Sequence, residues 1–322
     1  MAENVAVSAC MKMDHQFAMN AKAMNKSMWS RIGIIACWAV GVLSLIVYVA
    51  GGLLIHDSNF ADQTVLCPDL YNDTYDISLP GIKRQSFTIP TDDGQTLDAW
   101  LFLVPKATRL VIVNHGNAGN LSSRGFVVQA LTQAGTSVLI YDYRGYGKST
   151  GRATLHGILD DGQTVYAYAR SKLGYPANKI IEYGESIGTA AACRVAAKEN
   201  CGALMLFAPL DSLPSAGKWT LPILQIYPDF CFAEQLNNLE LIKKIHSPIF
   251  IIHGKNDQTL RVQGSERLYD AASQPKTIVY LPDSSHTEMS ADDGALYMKS
   301  IAQFIATLRD SNNPRGKRPL RS

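Results

Sequence analysis

The sequence predicts an α/β chain: a mostly parallel, doubly wound sheet opened by an antiparallel hairpin, carrying a short cap and preceded by one transmembrane helix. Three observations predict it. Apolar runs of strand length alternate with helix-length segments between residues 110 and 308, the rhythm of parallel strands joined by right-handed crossovers. Ahead of them, two alternating runs flank the turn signal Asp93-Gly94, which marks a hairpin. Ahead of both lies an uncharged run, Ile32–Ile55.

That run comes first in the chain. At about 1.5 Å of rise per residue it crosses a hydrocarbon core of about 30 Å with some tilt. A secretory h-region is normally about 7–15 residues, so a cleaved signal is the weaker reading, although Ala50-Gly51-Gly52 offers a small-residue site. A core helix apolar on every side does not suit a globular α/β domain. Lys12, Lys22, Lys26 and Arg31 precede the run, and no Lys or Arg follows until Lys83. The positive-inside rule then places residues 1–31 in the cytoplasm and the catalytic domain in the periplasm, a lumen or the cell exterior. A sequon at Asn72-Asp73-Thr74 fits a secretory setting.

Residues 56–81 are polar and turn-rich and read as a linker. The hairpin pairs Gln85–Ile89 with Thr96–Phe102. Leu110–Asn114 is apolar throughout, as buried parallel strands are. Helix 125–134, strand Ser137–Tyr141 and a helix over 158–173 follow, then strand Lys179–Tyr183 and a helix over 187–199. Strand Ala203–Phe207 leads into residues 210–238, the one sizeable insertion and the expected cap. Strand Pro248–Ile252, helix 263–272, strand Thr277–Leu281 and helix 293–308 close a domain spanning 82–310. Residues 311–322 form a basic tail, read as a solvated terminus.

The bulk numbers fit one large domain. With 322 residues, 47% hydrophobic and 18% charged, at a net charge of +2, the chain is neither a disordered nor a nucleic-acid-coating protein. Its six cysteines contain no C-x-x-C pair and match no zinc spacing. Most read as buried thiols, with a Cys67 disulfide to Cys231 or Cys201 as the alternative in an oxidising compartment. No metal or cofactor is expected, and the sequence assigns no oligomeric state.

Active sites of such sheets lie beyond the carboxyl ends of the strands, and there the chemistry-bearing motifs fall. Gly184-Glu185-Ser186-Ile187-Gly188 is G-x-S-x-G between a strand and a helix. Its glycines permit the sharp turn that lifts a nucleophilic hydroxyl above the strand ends. Ser186 is thus the candidate nucleophile. An oxyanion needs converging donors; the N–H of Ile187 supplies one, at a helix start where N–H groups lack intrahelical partners. The second is placed in His115-Gly116-Asn117-Ala118-Gly119-Asn120, at the N–H of Asn117 with Ala118 as runner-up. His115 reads as a structural hydrogen-bonder. Asp257 in His253-Gly254-Lys255-Asn256-Asp257 is the candidate acid and His286 in the next strand-to-helix loop the candidate base, giving the order Ser, Asp, His. Asp283 is the weaker acid, and His253 a structural turn residue. Tyr141–Ser149 matches no nucleotide-binding glycine pattern; Arg144 there is expected to pair with Asp142 or to attract an acidic group.

These residues resemble the α/β-hydrolase superfamily and, more narrowly, the Bem46-like group with its ABHD13-like and ABHD17-like serine hydrolases. The motifs that carry the resemblance are His115–Asn120, Tyr141–Gly151, Gly184–Gly188, Leu239–Ile245, His253–Asp257 and His286, over roughly residues 85–308. The resemblance implies an α/β-hydrolase fold and acyl transfer. ABHD17-like members are protein depalmitoylases held by acylated cysteines, and this chain lacks their cysteine-rich start; its anchor resembles that of ABHD13-like members. Gln258-Thr259-Leu260-Arg261 stands where such proteins often carry Val-Pro, and Thr287-Glu288 where they carry Asn-Asp or Asn-Glu.

The cap residues Asp211, Trp219, Leu221 and Tyr227, with Ala118, are the candidate substrate pocket, an apolar channel suited to an acyl ester, thioester or lipid. The expected function is hydrolysis of such an ester through an acyl-enzyme. A serine peptidase uses the same groups, and a non-catalytic membrane scaffold is the reading from a different class.

Overall fold

The computed structural model describes residues 37–69 and 76–310. The expected tails, the first five residues of the apolar run and the Asn72 sequon lie outside the described residues. Two units divide the chain between Leu54 and Ile55. In the first, helix α1 (Cys37–Ile55) has a mean hydropathy of 2.2 and is long and apolar enough to cross a membrane.

The segment expected as a linker is built. Helix α2 (Ser58–Val65) starts where the Asp57 carboxylate accepts the Phe60 N–H, one of the donors a helix start leaves open. A two-residue strand, β1 (Cys67–Pro68), follows and pairs in parallel with β5 (Ala118–Gly119). Neither element has a hydrophobic period, which is why the sequence does not advertise them.

The main sheet has eight strands among the described residues, in the order β10-β9-β8-β7-β4-β6-β3-β2. They are β2 (Lys83–Pro90), β3 (Thr96–Leu103), β4 (Leu110–Asn114), β6 (Ser137–Tyr141), β7 (Ile180–Glu185), β8 (Ala203–Phe207), β9 (Ile249–Gly254) and β10 (Lys276–Leu281). The hairpin β2–β3 is antiparallel, and so is β3 against β6; the remaining pairs are parallel. Strands β4 and β6 to β9 are buried along their whole length, as their unbroken apolar runs require.

Alternation divides the core into two layers. Leu110, Ile112, Leu139 and Tyr141 pack with α4 (Leu155–Ser171), α5 (Gly188–Lys198) and α8 (Val262–Ala271). Val111, Val113, Val138 and Ile140 face the other way, onto α3 (Gly125–Gln133) and α9 (Ala291–Asp310). After β4 the chain moves to β6 on one side and then to β7 on the other. Strand order therefore reverses at β4, and a crevice opens at its carboxyl end.

Between β8 and β9 the insertion folds into α6 (Leu213–Thr220), 3-10 turns at Pro222–Ile226 and Asp229–Cys231, and α7 (Asn238–Ile242). Cys67, Cys201 and Cys231 carry free thiols, so neither disulfide considered above is formed.

Candidate active site

Ser186 sits in the turn from β7 to α5 with φ of +52°, a left-handed conformation that disfavours any side chain. Neighbouring contacts hold it there. Its N–H donates to the Phe207 carbonyl at 2.9 Å, and its carbonyl accepts the Thr189 N–H at 3.0 Å. The helix comes so close that a Cβ on Gly188 would lie 2.2 Å from the Asn114 carbonyl oxygen, and one on Gly184 would lie 2.6 Å from Thr189 Cα. Both glycines of the motif are thus fixed by space.

His286, in the loop after β10, lies between the other two motif residues. Its Nε2 is 2.8 Å from Ser186 Oγ and its Nδ1 is 2.7 Å from Asp257 Oδ2. The loop is held by Asp293 at the start of α9, whose Oδ2 accepts the Asp283 N–H at 2.8 Å and the Ser284 hydroxyl at 2.6 Å. The carboxylate beside the His286 imidazole is that of Asp257 and not the weaker candidate Asp283.

Asp257 is buried, and its partners compensate. Oδ1 accepts the N–H groups of Thr259 and Leu260, each at 2.8 Å. Oδ2 is shared between His286 and His253, whose Nε2 lies 3.0 Å away. Burial pushes the carboxyl up, but hydrogen bonds from His253 and His286, the charge of His286 and the Leu260 amide together hold it well below the usual carboxylate range. His253 is the residue that motif reasoning undervalued. Its Nε2 faces two acceptors, Asp257 and the Leu260 carbonyl at 3.1 Å, while Nδ1 lies 2.6 Å from Ser265 Oγ. The hydrogen therefore belongs on Nε2, with Nδ1 accepting from the Ser265 hydroxyl.

The loop after β4 approaches from the other side. A Cβ on Gly116 would lie 2.7 Å from Glu185 Oε1, so this loop comes close to the residue before Ser186. The Asn117 side chain is held from three directions: Oδ1 accepts the Cys67 N–H at 2.9 Å and the Tyr146 hydroxyl at 3.1 Å, and Nδ2 donates to the Val65 carbonyl. The Ala118 carbonyl accepts a hydrogen bond from Arg124 Nη2 at 2.6 Å. His115 is fully buried between the Tyr143 and Tyr146 rings, and its carbonyl accepts the Tyr143 hydroxyl at 2.9 Å. Asn120 is also buried, with Oδ1 accepting the Ser122 N–H and hydroxyl.

Arg144 pairs with Asp161 and Asp93 rather than with Asp142. The Asp142 carboxylate instead accepts the Leu121 N–H at 2.6 Å.

The cap candidates are not brought together as one chamber. Asp211 is ion-paired with Arg267. The Trp219 indole donates to the Gln258 carbonyl at 3.1 Å and is stacked by Arg261; with Asp211 it lines a cleft of only about 20 Å³. Tyr227 is buried and Leu221 is exposed. A far larger cavity, about 610 Å³, is walled by Arg124, Phe126, Glu185, Phe207, Thr287, Met289 and Met298, among others. Glu185 and Thr287 flank Ser186 and His286 in sequence. Its residues come from four separated segments, so no motif signals it. Among the described residues no group of His, Cys, Asp or Glu is placed to hold a metal ion.

Comparison with known proteins places this geometry in context. The profile of the family described as serine aminopeptidase, S33, matches residues 105–233. An uncharacterized protein of Mycobacterium tuberculosis strain H37Rv is 29% identical over 271 residues, covering 84% of this chain and 95% of its own. Human alpha/beta hydrolase domain-containing protein 17B is 27% identical over 209 residues, covering 63% of this chain and 68% of its own. Among solved structures, an esterase of Pyrococcus furiosus superposes with a TM-score of 0.62 at 19% identity, covering 75% of this chain and 98% of its own. Est1E of Butyrivibrio proteoclasticus with ferulic acid bound gives 0.55 at 22%, covering 69% and 99%. At such identities these two likenesses concern the fold.

Proposed function

We propose that this chain, an α/β-hydrolase by its fold and its relatives, is a serine hydrolase cleaving carboxylic ester or thioester bonds of acyl or lipid-like substrates. The observation that carries the proposal is the His286 imidazole bridging Ser186 Oγ at 2.8 Å and Asp257 Oδ2 at 2.7 Å. Nucleophile, base and orienting carboxylate are then all within hydrogen-bond reach. Ser186 Oγ attacks the substrate carbonyl carbon while His286 Nε2 takes its proton. The Asn117 and Ile187 amides receive the oxyanion. Collapse expels the alkoxide or thiolate, which takes the proton from His286 and leaves an acyl-enzyme. Water, deprotonated by His286, attacks that ester, and the carboxylic acid departs with Ser186 restored. Asp257, held ionised, stabilises the imidazolium in both steps.

The cavity beside Glu185 and Thr287 supports an acyl substrate, since Phe126, Phe207, Met289 and Met298 give it an apolar wall. The family description favours a second reading, an aminopeptidase. Such an enzyme needs a carboxylate for the substrate ammonium, yet Glu185 is already paired with Arg124 at 3.2 Å, which supports the ester reading. Helix α1 serves in this proposal as a membrane anchor, with the preceding basic residues cytoplasmic and the catalytic domain on the opposite side.

The test is labelling of the full chain by a fluorophosphonate probe. Labelling abolished by Ser186→Ala, together with turnover of p-nitrophenyl esters, is the expected result. A fully active Ser186→Ala protein would refute the proposed nucleophile, and cleavage of aminoacyl anilides without ester turnover would shift the assignment to the peptidase.

A further inference from the structure

Outside α1, the exposed large hydrophobic side chains among the described residues are Phe60, Phe126, Leu221, Ile223, Ile226 and Phe230. Four of these six fall within the cap, and they are no marginal cases: Leu221 is 52% exposed, Ile226 53%, Ile223 66% and Phe230 77%. Scattered apolar side chains on a surface need no explanation, but a cluster does. No charged residue interrupts the stretch from Leu221 to Pro228. The nearest charges neutralise each other, Lys218 pairing with Asp229.

The segment is also well made. Leu224 N–H donates to the Leu221 carbonyl at 2.9 Å, Tyr227 N–H to Leu224 at 3.1 Å and Cys231 N–H to Pro228 at 3.0 Å. Gln235 Nε2 ties the Asp229 and Phe232 carbonyls, at 2.8 and 3.1 Å. A turn of chain with these three N–H groups bonded within it thus presents apolar side chains outward, as segments that lie in the membrane interface do.

One contact ties the cap to the start of the second unit. The Ala233 N–H, three residues past Phe230, donates to the carbonyl of Ile55 at 3.2 Å. Ile55 is the last residue of α1. Ile55 and Ala233 both belong to the second unit, so where α1 spans a bilayer the cap is bonded to the residue at which the chain leaves it.

We propose that Leu221, Ile223, Ile226 and Phe230 form a docking surface for the lipid bilayer that α1 enters, so that the cap rests at the membrane interface with these side chains reaching the acyl boundary. The proposal depends on the anchor reading given above. Its partner is the bilayer itself, and it supplies a route by which a membrane-dissolved ester reaches the strand ends without crossing water.

The test uses the full chain in phosphatidylcholine vesicles. A photoreactive p-benzoylphenylalanine in place of Phe230 is expected to crosslink to phospholipid, and the same group in place of the exposed Lys172, at the opposite end of the strands, is not. Replacing three of these residues (Ile223→Ser, Ile226→Ser, Phe230→Ser) is expected to lower turnover of a vesicle-embedded long-chain ester by about tenfold or more, the factor carried by about 1.4 kcal/mol of lost partitioning. Turnover of a soluble short-chain ester stays within about twofold, as for surface changes away from the reacting groups. Alkaline-carbonate extraction separates the two layers of inference. Protein that resists extraction yet gives no more lipid crosslink at position 230 than at 172 overturns the docking surface and leaves the anchor standing. Protein released by carbonate overturns the anchor, and the docking surface with it.

Discussion

His253 and Glu182 are buried polar residues with opposite consequences. His253 donates to the same Asp257 oxygen that receives His286, and it acts as a positioning residue for the acid. His253→Ala is expected to lower kcat about tenfold or more with little change in KM, a fraction of what loss of the acid itself costs in such triads. His253→Gln, which keeps an N–H donor, is expected to recover most of it. Equal loss in both variants would reduce the residue to packing. Glu182, in β7, is fully buried, and one oxygen accepts from Asn114 Nδ2 at 2.9 Å. Burial lifts its carboxyl from 4.5 to about 8, against the lowering pull of that bond. Between those two values the folded protein keeps a proton that the unfolded chain has lost. Stability from this group is therefore full below about pH 4.5 and drains away as pH rises toward 8, by up to about 1.4 kcal/mol per unit. Asp257, whose carboxyl is depressed, has the reverse sign and loses its contribution only in strong acid. Glu182→Gln is expected to raise the melting temperature at pH 8 and to flatten its dependence between pH 5 and 8; an unchanged profile would contradict this. At this scale Ser186, Asp257 and His286 were legible because each lies at a strand end within a recognisable motif. Glu182 was not, since a single carboxylate inside an apolar run shows its burial only once the strand is placed in the sheet.

Among the elements, the strands were the most legible. Leu110–Asn114, Ser137–Tyr141 and Ala203–Phe207 are found with their expected bounds, because unbroken apolar runs bounded by turns leave little choice. Helix α4 begins at Leu155, earlier than its apolar period suggests, where the Thr154 hydroxyl caps it by accepting the Gly157 N–H. The short pieces α2, β1 and β5 escaped because their stability comes from partners distant in sequence. They matter for the site. Asn117 joins β1 to the loop after β4 through Cys67 and Val65, so its side chain braces the backbone proposed to hold the oxyanion. Asn117→Ala is expected to slow the fluorophosphonate reaction of Ser186 by about tenfold or more, within the range seen for a weakened oxyanion donor, at unchanged melting temperature within a few degrees. A wild-type labelling rate in that variant would detach the brace from the chemistry.

Over the whole molecule, the fold class was legible and the cavity was not. Alternating runs and the glycine-bounded turn mark a mostly parallel sheet, and parallel strands bring the loops with residues 115, 186, 257 and 286 to one end. The cavity walled by Arg124, Phe207 and Met298 depends on how α3 and α9 pack across the sheet, which no local pattern encodes. The cap was expected to line a chamber; its small cleft and outward-facing side chains follow from Asp211 and Trp219 being taken by Arg267 and Arg261. One feature of the tether reaches further. Because Val65 and Cys67 hold Asn117, and the Gly147 N–H donates to the Asp69 carbonyl at 2.9 Å, the point at which a protease severs the chain decides what is released. A cut ahead of Asp57 sheds a domain with its brace intact and its activity preserved. A cut just beyond Asp69 separates the brace from the domain and releases a fragment of lower specific activity. Introducing a protease site at each position and assaying the released fragments distinguishes the two, and equal activity would show the brace to be dispensable. Under the proposed anchoring by α1, release is then either an active fragment or a silenced one, and a dozen residues separate the two outcomes.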